Sequence, residues 1–138
     1  MPAHNRKIKL SELELDGVDY AAQCTTILLV NNTPDPEVRH THGGAAASFS
    51  EESDPDWTLQ LNFYNDYRSA GITRYLLMHD GEEVDFTHGH LADIVGEHIR
   101  GTGRVQIKAA SFGGEARQTD AGDSNLRVVG KPTFTPVG

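Results

Sequence analysis

The sequence lacks the features that would place it outside the cell or in a membrane. It holds one cysteine, Cys24, which cannot form a disulfide within the chain and suits a reducing compartment. Spanning a bilayer takes about 18 consecutive apolar residues, and no run approaches that length. The first residues, MPAHNRKIKL, also lack the apolar core of a signal peptide, so we expect a protein that is not exported. Cys24 directly precedes an apolar run, where we expect a buried, unreactive thiol.

Positive charge is also scarce, with 12 Lys and Arg against 20 Asp and Glu and a formal net charge of −8. Because proteins bind nucleic acid largely through Lys and Arg on phosphates, this balance argues against tight binding to DNA or RNA. An acidic wall repels phosphates, which would suit a passage through which DNA slides without sticking. The simpler alternative, that the charge only keeps the protein soluble, is favoured when charge alone is considered.

The common catalytic motifs are missing as well: no Walker loop, no Gly-x-Gly-x-x-Gly after a strand and no Gly-x-Ser-x-Gly elbow. Two histidine pairs, His40 with His42 and His88 with His90, could each share a face of an extended segment and bind zinc or iron. Such pairs in a β-barrel would resemble a cupin, but neither is followed by a glutamate three or four residues later. We therefore interpret them as surface histidines and expect no catalytic residue, metal or cofactor. A small metal-dependent β-barrel enzyme that uses these four residues is the alternative.

What the sequence does contain is clear secondary-structure patterning, above all in residues 57–86. Large apolar and polar residues alternate over WTLQLNFY, which predicts a half-buried strand. Four residues then fall on one stripe of a helix: Ile72, Tyr75, Leu76 and His79. Gly81 can take the left-handed conformation that closes a helix, and the alternation resumes at Val84 and Phe86.

Shorter patterns predict further strands, at residues 7–15, 25–30, 47–51, 88–103, 104–109 and 126–129. Within residues 88–103 a helix is the alternative, because four residues have helical spacing: Leu91, Ile94, Val95 and His98. A break is expected near Ser11, where the alternation changes phase, and Asp16-Gly17 marks a hairpin turn. The run TTILLV is continuously apolar or β-branched, which predicts a strand covered on both faces.

About seven or eight short strands and one helix indicate a mainly β fold, a β-sandwich or barrel of short antiparallel strands with one flanking α-helix. Residues 1–138 show no internal repeat and are expected to form a single domain. Residues 31–44, NNTPDPEVRHTHGG, show no periodicity and predict a long loop that is functional or mobile. The prolines within residues 130–138 predict an extended C-terminal tail.

Three stretches form an ordered pattern. The first joins WTLQL, NDY, the helix and Gly-x-x-Val-x-Phe over residues 57–86; the second joins GRVQI and FGG over residues 103–114; the third is Val-x-Gly-Lys-Pro-Thr at residues 128–133. In this order and spacing they resemble the major tail, or tail tube, proteins of long-tailed, non-contractile bacteriophages. The resemblance covers roughly residues 55–135.

The resemblance implies a β-sandwich whose copies assemble as hexameric rings, and rings that stack into a hollow tube through which phage DNA is ejected without specific binding. In that family, strands of neighbouring subunits join into a continuous β-barrel around the lumen, and long loops contact the next ring. The implied partners are further copies of this chain and other tail proteins. The implied location is the virion tail, after assembly in the host cytoplasm and without a membrane.

On this hypothesis, seven residues of the long loop contact the next ring: Asn31, Pro34, Asp35, Pro36, Arg39, His40 and His42. Three acidic residues are expected to line the lumen: Glu12, Glu14 and Asp16. Another ring-forming tail protein, such as a terminator or a distal-tail ring, fits the same pattern. A monomeric binding sandwich that uses the long loop is a further alternative.

Overall fold

The computed structural model describes residues 7–137 except 45–47, 52, 91, 94 and 95, and within them the fold is mainly β with one α-helix, as predicted. In chain order the strands are β1 (Glu12–Leu15), β2 (Val18–Asp19), β3 (Cys24–Asn31), β4 (Glu37–Arg39), β5 (Phe49–Glu51), β6 (Trp57–Tyr64), β7 (Glu83–His90), β8 (His98–Gln106) and β9 (Ala121–Val137). The helix, α1 (Ile72–Met78), lies between β6 and β7. The strand, helix and strand predicted within residues 57–86 are therefore confirmed.

Seven of these strands form one antiparallel sheet in the order β2-β1-β7-β8-β9-β6-β3, and this sheet curls on itself. β4 and β5 form a separate two-stranded sheet. β1 and β2 are joined at Asp16 and Gly17, whose positive φ angles of 53° and 82° are typical of a tight hairpin turn. The hairpin predicted at this position is confirmed.

The alternation in β6 explains where the core lies. Leu59, Leu61 and Phe63 are buried, and the buried Leu126 lies opposite Leu59 on β9. Leu13 of β1 belongs to the same buried cluster, although three strands separate β1 from β6 in the sheet. The core therefore lies inside the curl, where strands that are distant in the sheet meet.

The helix packs on this core through the stripe that its spacing predicts. Ile72 and Leu76 are fully buried, and the Tyr75 ring packs against Tyr20 with 5.5 Å between ring centroids. Each fully buried side chain of this size stabilises the fold by about 1.5–3 kcal/mol relative to exposure. Gly81 follows with a φ of +88°, so the predicted left-handed glycine at the helix end is confirmed.

The strand predicted over residues 25–30 forms as part of β3, but the prediction that both its faces are covered is wrong. β3 is an edge strand that pairs with β6 alone, and none of its residues is fully buried. Ile27 and Leu29 pack against the core, whereas Leu28 is 50% exposed. An apolar run predicts burial, but it does not distinguish burial within the monomer from burial against another chain.

Two segments that were predicted to be irregular, residues 31–44 and 130–138, are more ordered than expected. Residues 31–44 are not one loop, because Asn31 ends β3 and Glu37–Arg39 form β4. The C-terminal residues are extended as predicted, but as a continuation of β9 that pairs with β8 up to Val137. Pro132 and Pro136 fit into this strand because β6 pairs with β9 only over residues 121–127, which leaves one side of the later residues open.

Three smaller differences concern strand ends. β1 begins at Glu12, so residues 7–11 lie outside it, and the predicted strand over residues 88–103 is divided between the end of β7 and the start of β8. Residues 121–125, which are too polar to predict a strand, belong to β9. Four residues used in the sequence-based assignments lie outside the described part of the chain: Ala47, Leu91, Ile94 and Val95.

Candidate functional site

β3 offers a free sheet edge that is eight residues long. Its sequence, CTTILLVN, contains no charged residue and no proline. Natural proteins usually protect such edges with charges, proline or bulges, because an unpaired row of N–H and C=O groups pairs readily with another chain. β3 has only a register shift between Cys24 and Thr26, at its start. The remainder of the edge is suited to pair with a strand of another molecule.

A groove of about 600 Å³ lies beside this edge, between β3 and the segment that precedes β1. Apolar side chains from both walls line it, including Ile8, Leu10, Ala21, Ile27 and Leu28. Cys24 is half-buried in the same groove, and burial, followed by the charge of Asp19, raises the pKa of its thiol to about 12. The thiol therefore stays protonated at neutral pH, in line with the unreactive cysteine expected from the sequence.

We call the separate sheet of β4 and β5 the arm. Its base is fixed by two hydrogen bonds: the Asn32 N–H donates to the Asp56 carbonyl at 2.7 Å, and the Asp56 N–H donates to the Thr33 hydroxyl at 3.0 Å. On the arm, Arg39 and Glu37 form an ion pair of 2.6 Å. The seven residues predicted to contact another ring are all exposed: Asn31, Pro34, Asp35, Pro36, Arg39, His40 and His42. The structure thus places them on and around an exposed two-stranded projection.

The three acidic residues expected to line a lumen differ in their surroundings. The Glu12 carboxylate accepts a hydrogen bond from the Arg100 guanidinium at 3.0 Å and lies 3.9 Å from His98 Nε2, which is too far for a hydrogen bond. Glu14 is exposed on β1, and Asp16 is exposed in the following turn. Arg100 therefore compensates the charge of Glu12, whereas Glu14 and Asp16 present their carboxylates to solvent.

Gly89 is the reason that Glu12 can reach Arg100 across the intervening strand. In the sheet register Gly89 of β7 lies between Glu12 on β1 and Arg100 on β8. A Cβ atom at Gly89 would be 2.8 Å from Glu12 Oε2 and 2.6 Å from His98 Nε2. A side chain at this position would therefore occupy the space that the ion pair uses.

Replacing Gly89 by alanine should displace Glu12 from Arg100 and lower the free energy of unfolding by about 1–2 kcal/mol, because a hydrogen bond between charged groups contributes less when, as here, both side chains are partly exposed. Urea denaturation measures this change. In a Glu12→Ala background the same substitution should cost less, because only the overlap with His98 remains and no ion pair is left to be displaced. An equal loss in both backgrounds would contradict this role for Gly89.

The histidine pairs do not meet at a common site. His40 Nδ1 lies 2.8 Å from the Ser48 hydroxyl, and the rings of His88 and His90 are 6.1 Å apart between centroids. Within the described ranges, no three His, Cys, Asp or Glu side chains are arranged to hold a metal ion. The surface interpretation is correct for His40, His42 and His90 but wrong for His88, which is buried because its place in the alternation of β7 faces the core.

His88 is expected to make stability depend on pH. Burial lowers the pKa of its imidazole, against a smaller opposite effect of the Glu12 carbonyl that lies 3.0 Å from Nδ1, and His90 adds a further lowering. The unfolded chain therefore binds the proton more readily than the folded chain. The stabilisation is present above the ordinary histidine pKa of about 6.5 and is lost as the pH falls below it, by at most about 1.4 kcal/mol per pH unit for one proton.

Chemical denaturation at pH 7.5 and pH 5.5 should therefore show a loss of stability on acidification that is smaller in a His88→Asn variant. The asparagine amide nitrogen takes the place of Nδ1 and can donate to the Glu12 carbonyl, but it does not titrate. An identical pH dependence of the wild-type chain and the variant would show that His88 is not the group responsible.

A second groove, of about 810 Å³, lies against the loop that joins β8 to β9. The Tyr67 and Phe112 rings pack edge to face beside it, with centroids 5.7 Å apart and an interplanar angle of 77°, and Phe112 is 79% exposed. Glu115 and Asp120 also line this groove, which we call the Phe112 groove. In the sequence, Phe112-Gly113-Gly114 was assigned to a turn and to the pattern of the resemblance, but not to a groove. The available signal was an aromatic residue set in a glycine-rich turn, where a core position is not expected.

Comparison of the chain with protein-family models and with curated proteins gives no match. The helix that the described residues form is too short and too polar to cross a membrane. A functional proposal therefore depends on the sequence resemblance together with the β3 edge, the arm and the acidic residues.

Proposed function

We propose that this chain is a structural virion protein, a tail tube subunit that assembles as hexameric rings whose stacks form the conduit for phage DNA. It acts by assembly and carries no catalytic residue. Two things support the proposal: the resemblance of its sequence to major tail proteins and, within the fold, the free and uncharged edge of β3.

The β3 edge supports assembly for two physical reasons. Pairing with a strand of a neighbouring subunit satisfies its exposed row of N–H and C=O groups and removes the hazard of uncontrolled association. The same contact buries Leu28, which is half exposed in the single chain. If β3 meets a different surface of the neighbour, the contact is heterologous, and heterologous contacts generate closed rings or open stacks.

The remaining surfaces fit the same proposal. The arm is an exposed projection that can contact a neighbouring ring, and its base is held by hydrogen bonds to Asp56. Glu14 and Asp16 are exposed near one end of the sheet, where they can face a lumen. A net charge of −8 would keep a passing DNA molecule from sticking to the wall.

Negative-stain electron microscopy of the concentrated protein tests the proposal. The expected result is rings with sixfold symmetry that stack into tubes of uniform width. Rings that never stack would instead support a terminator or a distal-tail ring. A chain that remains monomeric at every concentration and in every buffer would contradict the proposal.

A further inference from the structure

The Phe112 groove combines an aromatic pair with negative charge. Tyr67 and Phe112 supply the rings, and Glu115 and Asp120 supply the carboxylates. As far as the chain is described, the lining of this groove includes no Lys or Arg, and Arg117 lies in the same turn but outside the lining. The groove is therefore complementary to a segment that carries both apolar and cationic side chains.

In the single chain, Phe112 leaves a large apolar side chain exposed to solvent. With 79% of its surface open to solvent, it is the most exposed of the large hydrophobic residues described. Aromatic residues of this kind, placed beside a groove and flanked by polar residues, are typical centres of protein–protein interfaces. This favours a protein segment as the occupant of the groove.

A segment with the required chemistry precedes β1. Residues 7–10 alternate cationic and apolar side chains, and all four are exposed: Lys7, Ile8, Lys9 and Leu10. Ile8 is 66% and Leu10 is 53% exposed, and no ion pair joins either lysine to another described residue. In its own chain this segment lines the groove beside β3 and not the Phe112 groove.

The arm is a weaker candidate for the same groove. Val38 is exposed on the arm, but the neighbouring Arg39 is already paired with Glu37 at 2.6 Å. If the arm docked in the groove, Glu37 would approach Glu115 and Asp120 together with Arg39, and its negative charge would oppose the attraction of the arginine. Residues 7–10 bring two cations and no acid.

We propose that the Phe112 groove of one copy binds residues 7–10 of a second copy of this chain. In an extended segment, Lys7 and Lys9 point to one side and Ile8 and Leu10 to the other. The lysines meet Glu115 and Asp120, and the apolar side chains pack against the two aromatic rings. The groove and the segment are different surfaces of one chain, so the contact is heterologous, as a ring or a stack requires.

This inference rests on the proposed function, because it requires the chain to assemble with copies of itself. Two variants each remove one half of the contact: Phe112→Ala removes the aromatic wall, and the double variant K7E/K9E reverses the charge of the segment. All three positions are exposed, so both variants should fold, as circular dichroism and thermal melting can verify. The protein concentration that each variant needs for assembly should be at least about tenfold higher than that of the wild-type chain.

Mixing the two variants gives the sharpest result. The K7E/K9E chain keeps an intact groove and the Phe112→Ala chain keeps an intact segment. One contact between groove and segment can therefore form between them, but a second contact of this kind cannot follow. An equimolar mixture should therefore contain complexes of two chains, measured by sedimentation velocity, at a concentration where neither variant associates alone. Matched controls are Met78→Ala, which removes another highly exposed apolar side chain, and R127E/K131E, which reverses two exposed charges on β9. Both controls should assemble like the wild-type chain.

The other possible outcomes separate a failure of this inference from a failure of the proposed function. If the wild-type chain assembles and both variants assemble equally well, this inference is wrong and the proposed function is unaffected. If Phe112→Ala blocks assembly but K7E/K9E does not, the groove binds another part of the neighbouring copy, such as the arm, and residues 7–10 are not its occupant. If the wild-type chain itself remains monomeric, the inference and the proposed function both fail.

Discussion

Replacing Gly71 by alanine should lower the free energy of unfolding by about 3 kcal/mol or more and the melting temperature by roughly 10 °C. A Cβ atom at Gly71 would lie 2.0 Å from the carbonyl oxygen of Asp66 and 2.6 Å from its carbonyl carbon. Both are backbone atoms, so no side-chain rotation can relieve the overlap. The φ and ψ angles of Gly71, −84° and 144°, are open to any residue, so the close approach rather than backbone strain requires glycine.

Asp66 is held in place and cannot retreat from the added methyl group. Its N–H donates to the Thr73 hydroxyl at 3.0 Å, its carbonyl accepts from the Arg74 N–H at 3.3 Å, and its carboxylate binds the Arg68 guanidinium at 2.8 Å. These contacts fix the beginning of α1, which carries Ile72 and Leu76 into the core. The substitution is therefore expected to loosen the packing of α1 as well as the turn that precedes it.

Gly114→Ala is a matched control for this prediction. The nearest atom to a Cβ at Gly114 is 3.9 Å away, and its φ is not in the positive range, so alanine should leave stability unchanged or raise it by about 0.4–1 kcal/mol. Thermal denaturation followed by circular dichroism compares the two variants. A Gly71→Ala chain that melts within about 2 °C of the wild-type chain would contradict the described packing at the start of α1.

Replacing Leu28 by lysine should prevent assembly while leaving the monomer folded. Leu28 lies on the free edge strand and is 50% exposed, so a lysine there reaches solvent in the single chain. In an assembled ring the same lysine would be buried against the neighbour without a partner charge, and lysine on an edge is one of the devices by which proteins prevent strand pairing. We expect the concentration needed for assembly to rise about a hundredfold, which corresponds to about 2.8 kcal/mol.

The matched control for this variant is Ile99→Lys. Ile99 has a similar exposure of 46%, but it lies on β8, in the interior of the sheet, where it pairs with His90 of β7 on one side and with Pro136 of β9 on the other. Light scattering should show normal assembly of Ile99→Lys and none of Leu28→Lys at the same concentration. Equal assembly of the two variants would show that the β3 edge is not a contact surface.

Local patterns in the sequence were sufficient where a structural element depends on its own residues. The alternation of β6, the apolar stripe of α1, the hairpin at Asp16-Gly17 and the glycine after the helix were all predicted correctly. Each follows from backbone preference and from which side chains need burial. The mainly β fold with one helix follows from their sum.

What the sequence did not reveal depends on neighbours that are distant along the chain. The apolar run of β3 predicts burial but not that the strand lies at a sheet edge. β9 continues through Pro132 and Pro136 only because β6 no longer pairs beside them. His88 is buried because it continues the alternation of Val84 and Phe86 in β7, and this strand extends beyond Phe86, where the predicted alternation ended.

The candidate surfaces show the same difference between features that depend on local residues and features that depend on distant ones. The sequence indicated an exposed segment within residues 31–44, but not that part of it pairs with β5 to form the arm. It indicated Glu12 as an acidic residue, but not that Gly89 leaves room for its ion pair with Arg100. The Phe112 groove is formed by residues from two separate loops, so no local pattern could predict it.

Amide hydrogen exchange along β3 shows whether its free edge pairs with a neighbouring subunit. In the single chain, the β3 N–H groups that bond to β6 should be protected, whereas those that point away from β6 should exchange quickly. If β3 pairs with a neighbour, assembly should slow exchange of the outward-pointing groups until they match the groups that bond to β6. Rapid exchange of the outward-pointing groups in the assembled particle would contradict this pairing.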